Sequence, residues 1–300
     1  MRMIASFLSS TRRVLVASAG GLMLLAAQPA AADPAMWVVK DKDSTIYLLG
    51  TVHILKPETR WRTPKIDAAI AESKELWLEL PGLTDEEMMA VMMPLVAQHG
   101  LSPGKPLSSR LTPEEYKSLQ EAAKLAGLPI DMLAIARPWF AAVGISTSAI
   151  TRAGYDPKSG VEEKLKAIFG ERSIKAQGFE TPEQQLRVFT SMTEEEEMAF
   201  LRATLQDYDQ APVELDRMVA DWASGDLSDL GKMMVDEVKA VSPALYDELL
   251  TKRNANWVVK IEEMLKGSGT LFIAVGAGHL IGPDSVQVQL KAKGIDSTRH

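Results

Sequence analysis

The sequence contains no cysteine. Disulfides, thiolate metal sites, a cysteine nucleophile and the modified cysteine of a lipoprotein are all excluded by that absence. A Gly-x-Ser-x-Gly elbow is missing too, which argues against a serine hydrolase. Neither a P-loop nor a dinucleotide-binding glycine pattern is present. Positive charge is in deficit: 33 Lys and Arg stand against 40 Asp and Glu, a formal net charge of −7. Such an acidic chain is a poor partner for nucleic acid or anionic lipid. Histidine is scarce, with four copies, at positions 53, 99, 279 and 300.

No apolar run is long enough to span a bilayer, which takes about 20 residues. The longest, residues 14–27, is interrupted by Gly20 and Gly21. Arg2, Arg12 and Arg13 precede it, and Pro29-Ala30-Ala31-Ala32 follows with small residues where a signal peptidase reads. This pattern predicts a secretory signal peptide over residues 1–32, cleaved after Ala32, rather than a short membrane anchor. The mature protein, residues 33–300, is then periplasmic or secreted, with no stable membrane insertion. Residues 11–16 are also similar to a twin-arginine signal, an alternative to the Sec route. Cleavage takes Lys plus Arg from 33 to 30 and leaves Asp plus Glu at 40, so the charge moves from −7 to −10. With 46% hydrophobic residues, the mature chain can build a large core without disulfides.

The mature chain opens on β-rich runs at 37–39 and 45–49 around the polar turn 41–44, a predicted hairpin. Thr63 and Pro64 start a short helix over 64–73. Residues 75–80 alternate polar and apolar, which predicts a strand. From residue 84 the pattern turns helical. Helices are expected from 85, after Thr112-Pro113, over 130–150 with a break near Pro138, over 160–169, and after Thr181 and Thr193. A short strand is expected at 173–179. Helical patterning runs to about 266, then a strand at 270–275, a helix at 283–292 and a tail. The fold class is therefore α/β, or α+β. A mixed central sheet is built from N- and C-terminal strands, around a helical insert at about 84–266.

Two histidines share one context: Ile46 to His53 (IYLLGTVH) and Leu271 to His279 (LFIAVGAGH) are each an apolar strand followed by Gly-x-x-His. Ligands bind at strand ends in open α/β sheets, so neighbouring strands would turn both imidazoles into one cleft. Imidazole is the commonest transition-metal ligand, and two with a carboxylate leave an open position for water. A single Gly-x-x-His is more simply a histidine satisfied in a loop; the matched pair makes the two readings even. Glu79, at the end of its strand, and Glu180, after residues 173–179, are the candidate carboxylates, as ligand or general base. Each has a plainer reading, Glu79 as an exposed strand carboxylate and Glu180 as a charge near a helix N-terminus. His99 reads as a helix C-terminus, residues 194–197 as a solvated first turn, and Met88, Met89, Met92 and Met93 as an adaptable packing face or an apolar lid.

Taken together, Gly50-Thr51-Val52-His53, the strand with Glu79, Gly178-Phe179-Glu180-Thr181 with Glu183-Gln184-Gln185-Leu186, Arg253-Asn254 with Trp257, and Val275-Gly276-Ala277-Gly278-His279-Leu280 resemble the TraB/GumN family. The animal Tiki metalloproteases belong to the same group. The resemblance covers residues 36–295 and departs at Phe179, where an aliphatic residue is expected. It implies a fold similar to the erythromycin esterase and ChaN-like group. It implies a divalent metal, Mn or Co with Zn as a further option, held by His53, His279 and Glu79. Catalysis would fall to Glu79, Glu180, His53 and His279, with Arg253 and Asn254 in supporting positions of unassigned role. The expected function is a metal-dependent hydrolase acting on a peptide or small-molecule substrate. The alternatives are a periplasmic binding protein for haem, metal or an envelope polymer, and a metal-free esterase.

Overall fold

The computed structural model describes residues 33–300; the expected signal peptide, and the membrane-anchor alternative to it, lie outside the described residues. β1 (Met36–Lys40) and β2 (Ser44–Thr51) form the antiparallel hairpin. The Asp41 side chain closes its turn by accepting the Asp43 and Ser44 N–H groups. Thr63 caps α1 (Pro64–Glu72) by accepting from the Ile66 N–H, and β3 (Glu75–Leu78) follows.

The helical stretch begins with α2 (Asp85–His99), α3 (Pro113–Ala126), α4 (Ile130–Ala134), α5 (Pro138–Arg152) and α6 (Val161–Gly170). The break expected near Pro138 separates α4 from α5, because Arg137 is extended ahead of the proline. β4 is shorter than expected, only Gln177–Gly178, with Ser173 at φ +58° in the left-handed region. After β4 come α7 (Pro182–Thr190), α8 (Glu194–Asp207), α9 (Ala211–Ser224), α10 (Leu227–Gly231), α11 (Val238–Val241), α12 (Pro243–Tyr246) and α13 (Lys252–Met264). Two π-helical turns, Lys232–Glu237 and Asp247–Thr251, interrupt this last series. β5 (Gly269–Gly276), α14 (Val286–Ala292) and β6 (Ser297–Arg299) complete the chain. The tail after α14 pairs through β6 with β1.

The sheet order is β4-β3-β5-β2-β1-β6. β4, β3, β5 and β2 are mutually parallel, and β1 runs antiparallel to both of its neighbours. The two sequence-distant strands of the Gly-x-x-His segments, β2 and β5, are therefore central and adjacent. Both faces are buried, as a parallel sheet requires. Tyr47, Leu49, Phe272 and Ala274 face a core completed by α1, α6 and α9. Ile46, Leu48, Ile273 and Val275 face another completed by α13 and α14. A separate helical core joins α3, α5 and α8. There Glu197 is buried beside Arg137, so residue 197 is not part of a solvated turn; Glu194 and Glu195 are exposed. Among the described residues no helix is long and apolar enough to cross a membrane.

Candidate functional site

The four parallel strands deliver the candidate residues from their C-terminal ends, where open α/β sheets place ligands. β2 ends at Thr51 and leads to His53, and β5 ends at Gly276 and leads to His279 in a 3₁₀ turn (Ala277–Leu280). β3 ends at Leu78, one residue before Glu79. The β4 segment keeps pairing past its end, with the Phe179 and Glu180 N–H groups donating to the carbonyls of Leu78 and Glu79. Gly50 pairs with Val275 and Thr51 with Gly276, so the two histidine motifs are staggered by one residue.

Glu79 is 6% exposed, which sets aside the reading as an exposed strand carboxylate. Its Oε1 accepts the Gly276 N–H at 2.8 Å and lies 3.8 Å from His53 Nε2 and 3.7 Å from His279 Nε2. A Cβ at Gly276 would stand 3.1 Å from Glu79 Oε1 and 3.2 Å from His53 Nε2, so a larger residue would crowd both side chains. Glu79 Oε2 accepts from Arg253 Nη2 at 2.6 Å and from Gln185 Nε2 at 3.0 Å. Burial alone would push this carboxyl up, but the neighbouring cations and the Gly276 N–H hold it well below the usual carboxylate range.

The two imidazoles are anchored alike and charged differently. His279 is buried, with Nδ1 2.6 Å from Asn254 Oδ1, so this ring nitrogen carries the proton and donates. Asn254 is fixed in turn by donating from Nδ2 to the Asp284 carbonyl at 2.8 Å. Burial drives the His279 pKa down to about 3, so the ring is neutral near pH 7. Its Nε2 accepts from Arg253 Nη1 at 3.1 Å. His53 is the exposed member, its side chain 59% accessible, with Nδ1 2.8 Å from Glu162 Oε1. The Glu162 charge pushes its pKa up, to about 10, against the opposing effect of desolvation; solvent screens part of that attraction. With His279 neutral, His53 and Arg253 are the cations that keep Glu79 ionised.

Glu180 occupies a different position from Glu79. Both of its oxygens accept from Arg253, at 2.8 to 3.1 Å, and Oε1 also takes the Trp257 Nε1–H at 3.1 Å. The cavity over the site, about 1190 Å³, is lined by Glu79, Arg253 and both histidines, but not by Glu180 or Asn254. Arg253 finishes its donor set on the Leu249 carbonyl, in the π-helical turn beside it. Phe179, the departure from the family pattern, fills the space between Trp77 and Trp257, with ring centroids 5.5 and 5.3 Å away.

Glu162 carries no mark in the sequence beyond an acidic first helical turn, yet it bonds both His53 and the Thr51 hydroxyl. Gln185 falls inside a quoted motif with no role assigned, and here it orients Glu79. Of the α2 methionines, Met88 and Met92 are half-buried and Met89 and Met93 are exposed, and Met88 lines the cavity. Among the described residues, no group of three or more His, Cys, Asp or Glu side chains is arranged to hold a metal ion as it stands. The Arg253 guanidinium already engages Glu79 Oε2 and His279 Nε2.

Comparison with known proteins agrees with this arrangement. The model of the TraB/PrgY/gumN family matches residues 35–299. A protein of Treponema pallidum (strain Nichols), described as uncharacterized, is 24% identical over 267 residues, covering 83% of this chain and 78% of its own. No solved structure matches. With its matched span taking in all six strands and both histidine motifs, the chain belongs to the TraB/PrgY/gumN family.

Proposed function

We propose that the mature chain is an exported hydrolase that holds a divalent metal on His53 Nε2, His279 Nε2 and Glu79 Oε1 and cleaves peptide bonds. The observation that carries this reading is the anchoring of both rings. Each Nδ1 is tied to a fixed acceptor, Glu162 or Asn254, and each Nε2 faces the same carboxylate oxygen on the cavity floor. Metal-ligating histidines are held in this way, the outer nitrogen donating to a carboxylate or carbonyl oxygen. Donors around a small divalent ion with bonds of about 2.1 Å stand about 3.4 Å apart. The spacings of 3.7 and 3.8 Å are slightly wider, and Arg253 Nη1 must give up His279 Nε2 before that atom can serve as a ligand. On this reading Mn, Co or Zn would be held only once Arg253 has moved off His279 and the three donors have drawn slightly closer.

A divalent ion here supplies polarisation of a carbonyl and acidification of water. The chain's residues do the rest. Asn254 keeps the His279 proton on Nδ1, so Nε2 retains its lone pair. Glu162 fixes the His53 ring through Nδ1 in the same way, but also favours the protonated ring, whose Nε2 would have to lose its proton to serve as a ligand. Arg253 and Gln185 hold Glu79 with one oxygen turned to the two rings, and Glu180 holds Arg253.

The His53–Glu162 pair favours one rival, a metal-free esterase with His53 Nε2 as general base. Its weakness is the raised pKa, which keeps His53 protonated near neutrality and unable to accept a proton from water. A metal ion can displace that proton, at a pH-dependent loss of affinity.

The deciding measurement is the metal content of purified residues 33–300 after supply of Mn, Co or Zn, beside His53→Ala and His279→Ala, with absorbance scanned for haem. Stoichiometric metal in the wild type, lost in both variants, is the expected result. A wild type that takes up none of the three ions defeats the metallohydrolase reading, and a Soret band would replace it with a haem protein. Glu162→Gln and Asn254→Ala should each weaken metal binding about 10- to 100-fold without removing a ligand, measured by competition with a chromogenic chelator. Unchanged affinity in both would show that the anchoring has no part in metal binding.

A further inference from the structure

We propose that the open trough along α2 binds an extended apolar peptide segment, continuous with the chain being cleaved at the two-histidine floor. The inference rests on the hydrolase reading for what is cleaved, but not for what is bound. The trough, about 680 Å³, runs beside Met88, Met89, Met92, Met93, Val96 and Leu101. Asp85 and Met88 line both the trough and the main cavity, so the two spaces adjoin at the start of α2.

The helix that makes the trough is built to stand there without a core. Its N-terminus is closed by a capping box, Thr84 accepting the Glu87 N–H and Glu87 accepting the Thr84 N–H. Such a box satisfies two of the helix's orphan donors locally. None of its fifteen residues is buried, and Met89 and Met93 are 60% and 65% exposed. Two methionines left in water beside two half-buried ones make an unusual surface, because a thioether chain gains by burial. Methionine is also the side chain that best adapts to apolar partners of varied shape. Across the cavity, Met233 and Met234, at the first π-helical turn, present the same chemistry to the entering chain.

Length, openness and charge select the occupant. Fifteen helical residues span about 22 Å, the reach of about seven residues of extended peptide. The only ionisable group lining the trough is the Asp85 carboxylate, and no basic side chain lines it. Asp85 can accept a peptide N–H and repels an anionic head group, which disfavours a fatty acid. A second copy of the chain is disfavoured by size. One helix face of about 22 by 10 Å falls well short of the ~800 Å² per partner in a standard interface.

The test is direct binding of a fluorescein-labelled decapeptide of alternating leucine and serine, with an all-serine counterpart, followed by anisotropy. The proteins are the wild type, with and without EDTA, and Met89→Gln/Met92→Gln/Met93→Gln. Glutamine keeps helix propensity while removing the apolar surface, and circular dichroism checks that the fold is intact. The leucine peptide should bind the wild type equally with and without EDTA, at least tenfold tighter than the serine peptide, and should lose at least tenfold in the triple variant. Binding that is absent, or unchanged in the triple variant, overturns the proposal. So does laurate displacing the peptide at equal concentration, which would make the trough an acyl site. A wild-type dimer in sedimentation equilibrium that the triple variant disperses would also overturn it. Because the EDTA-treated wild type must still bind peptide, a failed metal measurement and a failed trough are separate results.

Discussion

Arg253→Met should destabilise the protein by about 3–5 kcal/mol at pH 7, the range for removing one partner of a buried ion pair. Arg253 is the common counter-ion of two carboxylates, reaching Glu180 through Nε and Nη2 and Glu79 through Nη2 at 2.6 Å. The three side chains are 12%, 10% and 7% exposed, so water cannot replace the guanidinium. Methionine matches the length of the arginine stem and can keep packing on Trp257, over whose ring the guanidinium sits at 5.0 Å. What it cannot supply is charge. Guanidinium chloride or urea denaturation of both proteins gives the difference directly.

The loss should depend on pH in a fixed direction. In the wild type the folded-state pKa of Glu79 is depressed, so its contribution to stability is present above the ordinary value of 4.5 and is lost as pH falls below it. In Arg253→Met the burial of Glu79 is opposed by less positive charge, and its pKa rises. Glu79 titrates alike in the two unfolded chains, so the gap narrows as pH falls through the raised folded-state pKa of the variant, where its Glu79 takes up a proton and the wild type's does not. A gap as wide at pH 4 as at pH 7 would mean that the arginine stabilises by packing alone.

The sheet was legible because its strands carry strong local signals. Val38 to Leu49 and Leu271 to Val275 are β-rich and bounded by glycine or a polar turn, and parallel pairing of the distant ends follows from burying both faces. The matched Gly-x-x-His endings placed His53 and His279 at one rim. Glu79 was legible as a strand-end carboxylate, and the resemblance separated it from Glu180 as the ligand. The structure adds the physical difference: Glu180 spends both oxygens on Arg253 and Trp257, whereas Glu79 keeps Oε1 toward the rings. Glu162 was illegible because its partner is 109 residues away and nothing local distinguishes it from Glu163 beside it. The spacing of the α2 methionines fits a packing face or a lid, and only the tertiary structure shows that Met88 and Met92 are half-buried while Met89 and Met93 stay exposed.

Gly160→Ala should lower stability by about 1–3 kcal/mol or more, the usual range for forcing extra atoms into a packed site. It should also uncouple Glu162 from His53. A Cβ at position 160 would fall 2.0 Å from the His53 carbonyl oxygen and 2.7 Å from its carbonyl carbon, both backbone atoms that cannot turn aside. Either the loop carrying His53 or the start of α6 has to move. The Val161 N–H donates to the Val52 carbonyl at 3.2 Å, and that bond ties the two segments at the point of the clash. Glu162, one residue further on, loses its alignment with His53 Nδ1 in either case. The other end of the same helix provides the control. Gly170 has nothing within 4 Å of its would-be Cβ and no positive φ, so Gly170→Ala should be neutral or stabilise by about 0.4–1 kcal/mol. Thermal unfolding ranks the three proteins, and the His53 ring resonances, followed by NMR against pH, report the link. Loss of the Glu162 carboxylate at Nδ1 should bring the His53 pKa down toward the ordinary imidazole value of 6.5. A Gly160→Ala protein with wild-type stability and an unchanged His53 titration would show that the close approach of α6 to the histidine loop plays no part in holding His53 in place.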